Sequence, residues 1–402
     1  MFRKRTIETT QKAYKFRAYP SHTVKSAIEK NLEACRFVYN FSLEEMNKQE
    51  KKDAIEIQNK LPKLREEKPF LKETYSKCLQ AEVHKVFSNL RVLSRLRKKG
   101  KRGGKLRFKG KGFFKTITFN QSGFKIEGNK IIFSGIGAIS IKLHRKIEGV
   151  VKQVSIKKEQ SGKYFVIVMV DQFKTSEKKQ IKKCIGVDLG SINLTHDSNN
   201  KFIKSPKHLE KSLKKLMTAQ RLLSRKQRGS NNRNKARINL ARVYEKVRNQ
   251  RLDFLHKLSH FYVSNYDLIA IEDMQIQEMA IKTYNARHLL QNGWNILANQ
   301  LSYKAESAGK ILVKVEASGT TTDCSRCGFA VKKQLSDRTH VCPRCGLKID
   351  RDYNASINIL KRGVEKVRQE LPTALVEMEP LPDKNFGQVL SVKQEASALI
   401  AR

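Results

Sequence analysis

Residues 12–18, KAYKFRA, alternate apolar and basic side chains, which predicts a strand. Pro20 and Ser21 end it. From 23 to about 96 the period lengthens. Leu32, Cys35, Phe37, Val38 and Phe41 mark one helical face, and Leu79, Val83, Val86 and Leu90 another. Pro62 and Pro69 divide this block into shorter helices. Period two returns over 115–171. There KTITF, FKIE, KIIF, ISIKLH, VKQVSIKK and KYFVIVMVD predict six short strands, with turns at Gly128-Asn129 and Ser161-Gly162. Such strands predict a small, barrel-like β module. The strand at 12–18 can complete it, which makes the helical block an insertion.

Residues 174–183 read as a polar, Lys-rich linker, and CIGVDLG (184–190) as an apolar strand ending at a glycine. Residues 205–262 are helical, with a break at Gly229-Ser230. YDLIAIEDM (266–274) predicts a buried strand, 284–308 an amphipathic helix with the only tryptophan, Trp294, and KILVKVE (310–316) a further strand. A last helix is expected over 353–369. The residues after it, with Pro372, Pro380 and Pro382, predict a poorly ordered tail. The sequence has no internal repeat.

Charge narrows the partner. Lys and Arg total 82 against 38 acids, a net charge of +44. Such an excess points to a polyanion, and nucleic acid is the natural one. No run of 18 apolar residues suggests a membrane span. Residues 91–112 hold 11 basic residues, five glycines and no acid. Within or beside this run Arg97, Lys98, Lys99, Arg102 and Arg107 are candidate phosphate contacts. Residues 205–251 hold 15 basic residues and two acids, with Arg248 and Arg251 as further candidates. Lys77 and Gln80 lie one helical turn apart. Lys suits guanine and Gln adenine in a major groove, so the pair is a candidate motif reader; an ordinary exposed helix face is the stronger account of it. Residues 1–20 lack the apolar stretch of a signal peptide, so a cytoplasmic, nucleoid-associated setting is expected. Disulfides are not expected there, and Cys35, Cys78 and Cys184 read as small buried apolar residues.

Two groups carry chemistry. Cys324-x2-Cys327 and Cys342-x2-Cys345 are separated by 14 residues, and Gly328 and Gly346 directly follow the pairs. This is zinc-ribbon spacing, and four thiolates close the shell of one structural Zn²⁺. His340 lies near but is superfluous. Asp188 and Glu272 end apolar strands, and Asp352 begins a helix. Three carboxylates meeting at one sheet edge need a hard cation, and two Mg²⁺ about 4 Å apart would serve phosphodiester cleavage. Asp273 and Asp350 stand beside two of these positions, and spacing alone leaves the choice open. GVDLG also opens actin-like ATPases and sugar kinases, but the second Gly-rich phosphate turn of those folds is missing.

IGVDLG, IAIEDM and DRDYNASINIL, with a four-Cys segment between the second and third, resemble the split RuvC nuclease of the insertion-sequence protein family TnpB, related to type V CRISPR effectors. YKFRAYPS, CRFVYNFSLE, KIEGNKIIF, ISIKLHRKIEG and NQRLDFLHKLS extend the resemblance over roughly 12–365. It implies a multidomain α/β protein: an RNase H-like (RuvC) nuclease domain with an inserted zinc ribbon, and an N-terminal β-barrel (wedge) domain carrying an inserted helical recognition domain. The implied divisions are 1–20 and 99–180 for the barrel, 21–98 for the helices, 181–317 for the first two nuclease motifs, 318–349 for the ribbon, 350–370 for the third motif and last helix, and 371–402 for the tail. It further implies RNA-guided cleavage of double-stranded DNA beside a short target-adjacent motif, with a guide RNA from the transposon end. The family's catalytic acids fall on Asp188, Glu272 and Asp352, chosen over Asp350 by the pattern DYN, and its zinc ligands on the four cysteines. Some relatives have lost the acids and act as RNA-guided repressors; this chain keeps all three. Monomer and dimer both remain open. The lead-in ASGTTTDC departs from the family without expected effect on cleavage. Arg326, Lys332, Lys333 and Arg344 are expected to face DNA or solvent. His256 is expected to serve packing or backbone contact.

Overall fold

The computed structural model describes residues 9–100, 103–120, 122–173, 181–190, 193–274, 293–334 and 336–370. Arg102, most of the linker at 174–183, the first part of the helix expected at 284–308 and the tail from 371 lie outside these residues. The chain divides into two compact units, 1–174 and 175–402.

In the first unit seven strands form one antiparallel sheet: β1 (Thr9–Tyr19), β2 (Thr116–Asn120), β3 (Phe124–Glu127), β4 (Lys130–Phe133), β5 (Gly137–Lys142), β6 (Val150–Lys158) and β7 (Tyr164–Phe173), in the order β2-β6-β7-β1-β5-β4-β3. β1 sits mid-sheet and pairs with β7 from Thr9↔Phe173 to Ala18↔Tyr164. Its alternate residues Tyr14, Phe16 and Ala18 are buried, as period two requires. The two edge strands, β2 and β3, are consecutive in the chain. Only residues 121–123 separate them, so the sheet curls into a nearly closed barrel.

Between β1 and β2 the chain makes α1 (His22–Lys48), α2 (Ala54–Asn59), α3 (Leu61–Glu67) and α4 (Ser76–Lys98). Ser21 caps α1 by accepting from the Val24 N–H (3.3 Å). Pro62 sits in the first turn of α3, where its missing N–H costs no helix bond. These helices have no core of their own. Leu32, Val38, Leu79 and Val86 join Phe16, Phe119 and Val166 of the sheet in one cluster. The basic stretch after α4 is neither helix nor strand where described, but it is tied to α1. The Asn40 side chain both accepts from the Lys109 N–H (2.8 Å) and donates to the Lys109 carbonyl (3.0 Å).

The second unit is built on a five-stranded sheet of order β10-β9-β8-β11-β12. Its strands are β8 (Cys184–Asp188), β9 (Asn193–Asp197), β10 (Phe202–Lys204), β11 (Leu268–Glu272) and β12 (Ile311–Val315). β8, β11 and β12 run parallel, while β9 and β10 fold back as an antiparallel edge. The sequence pattern missed β9 and β10, because NLTHD is mostly polar and yet buried from Leu194 to Asp197. Among the described residues four helices follow in chain order: α5 (His208–Ser224), α6 (Asn231–Asn265), α7 (Trp294–Ser307) and α8 (Arg351–Glu370). The break between α5 and α6 falls at Gly229, with φ +85°, and at Ser230, which caps α6.

Period two sorts the strand residues between two faces. Ile185, Val187, Ile269 and Ile271 pack with Tyr262, Trp294 and Leu297 of α6 and α7. Leu268, Ala270 and Val313 pack with Ile359, Leu360 and Val364 of α8. Gly186 lies on the α8 side. A Cβ there would sit 2.2 Å from the Ser356 carbonyl oxygen, so only glycine lets α8 lie this close. Gly363 repeats the device, its Cβ position being 2.4 Å from that of Ala270.

Candidate metal centres at the sheet edge

This close crossing places the three acids. Asp188 is two residues beyond Gly186 and therefore on the same face, and Glu272 is two beyond Ala270. Ala270 pairs with Gly186 across the parallel ladder, so Glu272 and Asp188 come level at the strand ends. α8 runs back over β8. Asp352 lies one turn before Ser356, about 6 Å along the helix, which matches the roughly 6.6 Å from Gly186 to Asp188 along the strand. A Cβ on Gly190 would lie 3.9 Å from Asp352 Oδ2, which fixes the helix start over this strand end.

The electrostatics register the crowding. Asp188 and Asp352 are buried and Glu272 is half-buried. Burial, followed by the charges of Glu272 and Asp352, pushes the Asp188 carboxyl well above the usual range, with Arg351 opposing and Asp350 adding. Burial also raises Glu272, against a hydrogen bond from Thr320 and the charge of Arg362. Around Asp352 stand Arg338 Nη1, 3.7 Å from Oδ2, and Arg351 Nε, 3.5 Å from Oδ1. Asp350 has another task. Its Oδ1 accepts from the N–H groups of Asp352 (2.8 Å) and Tyr353 (3.0 Å), capping α8. Asp273 points away to Lys314 Nζ (3.2 Å). A buried carboxyl raised by two neighbouring carboxylates marks a group that suits a hard divalent cation.

Thr320 was not singled out from the sequence. Its hydroxyl donates to Glu272 Oε1, and its carbonyl accepts from Asn358 Nδ2 of α8 (2.9 Å). The lead-in before the first cysteine therefore touches the acid cluster. Its only sequence signal is the threonine run just beyond the end of β12. Asn354 makes a second tie: Oδ1 accepts from the Ser325 N–H (2.9 Å) and Nδ2 donates to the Asp323 carbonyl (2.8 Å).

The cysteine segment is a small unit packed on α8. Strands β13 (Thr339–Val341) and β14 (Lys348–Asp350) pair within it. Each Cys pair makes the same turn: the Gly328 N–H donates to the Cys324 carbonyl (2.9 Å) and the Gly346 N–H to that of Cys342 (3.0 Å), at φ +73° and +69°. The four Sγ atoms lie within 4.8 Å of one another, with contacts of 3.6 Å for Cys324–Cys345 and Cys327–Cys342. A tetrahedral zinc with Zn–S near 2.3 Å needs S···S edges of about 3.8 Å, so the set fits. Burial raises the Cys342 thiol, but the N–H groups of Cys345 and Arg344 and the neighbouring sulfurs outweigh it and bring it to about 6. His340 stays outside this set, its Nδ1 meeting Lys333 Nζ.

The expected nucleic-acid positions fall in both units. Lys77, Arg97, Lys98, Lys99 and Arg107 are exposed in the first unit. Lys77 donates to Ser122 Oγ (2.9 Å) and Gln80 is half-buried, so the pair is not a free face. In the second unit Arg248 is exposed and Arg251 half-buried on α6. Arg326, Lys332 and Arg344 are exposed. Lys333 departs from expectation and turns inward, donating to the Thr321 carbonyl (2.7 Å). His256 offers its carbonyl to Lys304 Nζ (2.7 Å), which ties α6 to α7.

The backbone defines a Cas12f1-like fold. The chain matches that of a solved Cas12f1–sgRNA–target DNA complex with a TM-score of 0.51 at 14% identity, covering 87% of this chain and 98% of that chain. Three family profiles match in succession: "Helix-turn-helix domain" over residues 10–53, the IS605 OrfB profile "Probable transposase" over 153–282, and "Cas12f1-like, TNB domain" over 294–359. Together these matches support the TnpB family for this chain. A Streptomyces pristinaespiralis protein named "Putative RNA-guided DNA endonuclease" is 28% identical over 369 residues, 89% of this chain and 90% of that protein. The Escherichia coli K12 protein "Putative RNA-guided DNA endonuclease InsQ" is 27% identical over 381 residues, 87% of this chain and 92% of that protein. The span matched by the helix-turn-helix profile folds here as one strand and one 27-residue helix, β1 and α1.

Proposed function

We propose that this chain is a transposon-encoded, RNA-guided DNA endonuclease that hydrolyses phosphodiesters beside a short target-adjacent motif, with Asp188, Glu272 and Asp352 as its metal-binding catalytic acids in a RuvC-like site. The observation that carries this is the convergence of three carboxylates at one strand edge, where Asp188 is raised by burial and by both partners. The names of the relatives and a net charge of +44 point the same way.

The acids would hold two Mg²⁺ ions, which when bound would stabilise charge on the attacking and leaving oxygens. Thr320 holds one oxygen of Glu272 in place, and the Asp350 cap fixes the helix end that carries Asp352. The cysteines would hold one structural zinc, and through Asn354 and Asn358 their segment braces α8. A guide RNA from the transposon end would choose the target by base pairing, while basic side chains such as Arg97, Lys98, Lys99, Arg107, Arg248 and Arg251 meet phosphates.

The test is a plasmid carrying the target and its flanking motif, incubated with the purified ribonucleoprotein and Mg²⁺. Linear product is expected. Asp188→Ala should lower the rate by at least about 10²–10³, the scale of losing a group that stabilises transition-state charge, without loss of target binding. Binding without nicks by the unaltered protein would instead mark a guide-dependent repressor.

A further inference from the structure

His196 is buried on β9 and pairs with Asp188 across the antiparallel ladder, so both side chains rise on the same face. Its ring is clamped. Tyr353 stacks on it with centroids 5.9 Å apart, and Phe202 meets it edge-on at 5.9 Å. Nε2 lies 3.1 Å from Asn200 Oδ1, an acceptor, so Nε2 carries the proton. Asn200 reaches this position with φ +61°, a left-handed backbone that asparagine tolerates. The other nitrogen, Nδ1, is buried and has no hydrogen-bond partner among the described residues. It points at carboxylates. Asp350 Oδ1 is 3.4 Å away, and the donor atoms of His196, Asp350 and Asp352 all lie within 4.8 Å of one another.

With Nδ1 unprotonated its lone pair faces two carboxylates, a repulsive arrangement that either a proton or a metal cation between them relieves. The outer hydrogen bond from Nε2–H to a carbonyl oxygen is the support that metal-bound histidines ordinarily have. We propose that His196 Nδ1, Asp350 and Asp352 form a cation site contiguous with the three acids through Asp352, and that it takes a first-row transition-metal dication. Imidazole beside carboxylates favours such an ion over Mg²⁺, which prefers oxygen alone. Asp350 Oδ1, the oxygen nearest Nδ1, also caps α8, and the 48% exposed side chain has a second oxygen, Oδ2, to offer an ion. The guanidiniums of Arg338 and Arg351 also flank Asp352 and limit the charge left for the ion. A role for this ion in cleavage rests on the nuclease reading; its binding does not.

Mn²⁺ is the probe, since it competes poorly for thiolates and leaves the cysteines silent. The purified ribonucleoprotein is titrated with Mn²⁺ and followed by electron paramagnetic resonance, with pulsed detection of nitrogen coupling to the bound ion. Nitrogen coupling is expected in the unaltered protein. His196→Ala should abolish it and weaken one Mn²⁺ by about tenfold or more. Asp350→Asn keeps a good helix cap and should weaken the same ion, which guards against a misfolded histidine variant. Asp188→Ala should leave the nitrogen coupling in place. Mn²⁺ bound without nitrogen coupling would overturn this site and leave the three-acid reading standing, with His196 then a charged partner of Asp350. Failure of the unaltered protein to bind Mn²⁺ would overturn both.

Discussion

The four cysteines, all within residues 324–345, and the three acids, spread from Asp188 to Asp352, are assembled in different ways. The cysteines come together through two local turns, each closed by one backbone hydrogen bond to a glycine N–H. Their geometry belongs to the segment itself. The acids come from β8, β11 and α8, far apart in sequence, and meet only because a helix crosses two strands at glycine contacts. The first group gathers soft donors that close around an ion. The second gathers hard like charges that repel until an ion arrives. A local cluster can be read from spacing, whereas a distant one depends on packing that must be right to within a methyl group.

If that contrast holds, breaking the local group should be the most damaging to stability. Cys342→Ser should release the zinc and unfold the segment, since apparent binding energies of structural zinc run to roughly 10 kcal/mol or more. Metal analysis should show less than one zinc per chain, and cleavage should fall because α8 loses its brace. Full cleavage by zinc-free protein would show that the two groups are independent. Gly186→Ala tests the distant group without touching an acid. The added methyl meets the Ser356 carbonyl at 2.2 Å, and overpacking of this kind costs about 1–3 kcal/mol. Thermal unfolding should shift down, and cleavage should fall further than stability alone accounts for, because Asp352 moves with the helix.

Thr320→Val sharpens the comparison at a single hydrogen bond. Removing the donor to Glu272 should slow cleavage about tenfold, the scale for partners that orient a metal ligand, with a stability change near 1 kcal/mol. Thr320→Ser should restore the rate. An unchanged rate in the valine variant would remove Thr320 from the site. The smallest effect is in the pH profiles. The carboxyls of Asp188 and Glu272 are raised in the folded chain, so it holds protons there that the unfolded chain has lost. Their contribution to stability is complete below the ordinary carboxylate pKa, near 4, and is lost as pH rises through the raised values. Metal-free protein should therefore weaken with rising pH in this window, Asp188→Asn should flatten the slope, and added Mg²⁺ should oppose it. The cysteines respond oppositely, releasing zinc as the medium becomes acidic.

Much of the fold was legible. Strands with strong apolar alternation, such as β1 and β7, and helix breaks marked by Gly229 or Pro62 fell where the pattern placed them. β9 did not, because Thr195, His196 and Asp197 are polar and nonetheless buried. The same limit hid Thr320 and His196, whose significance lies in what they face. Asp350 and Asp352 were a choice between neighbours. The structure gives Asp350 the helix cap and places Asp352 beside Asp188.

What the residues decided alone was chemistry and supply: a chain charged to meet polyanions, four thiols at ligand spacing, and acids at the ends of apolar strands. These are properties of composition and of near neighbours, which the chain carries whether folded or not. The tertiary structure decided which acids meet and what surrounds them. Parity along β8 and β11 and the clearance over Gly186 bring three distant carboxylates into one group, in which the other two raise the buried Asp188. No local rule encodes that distance.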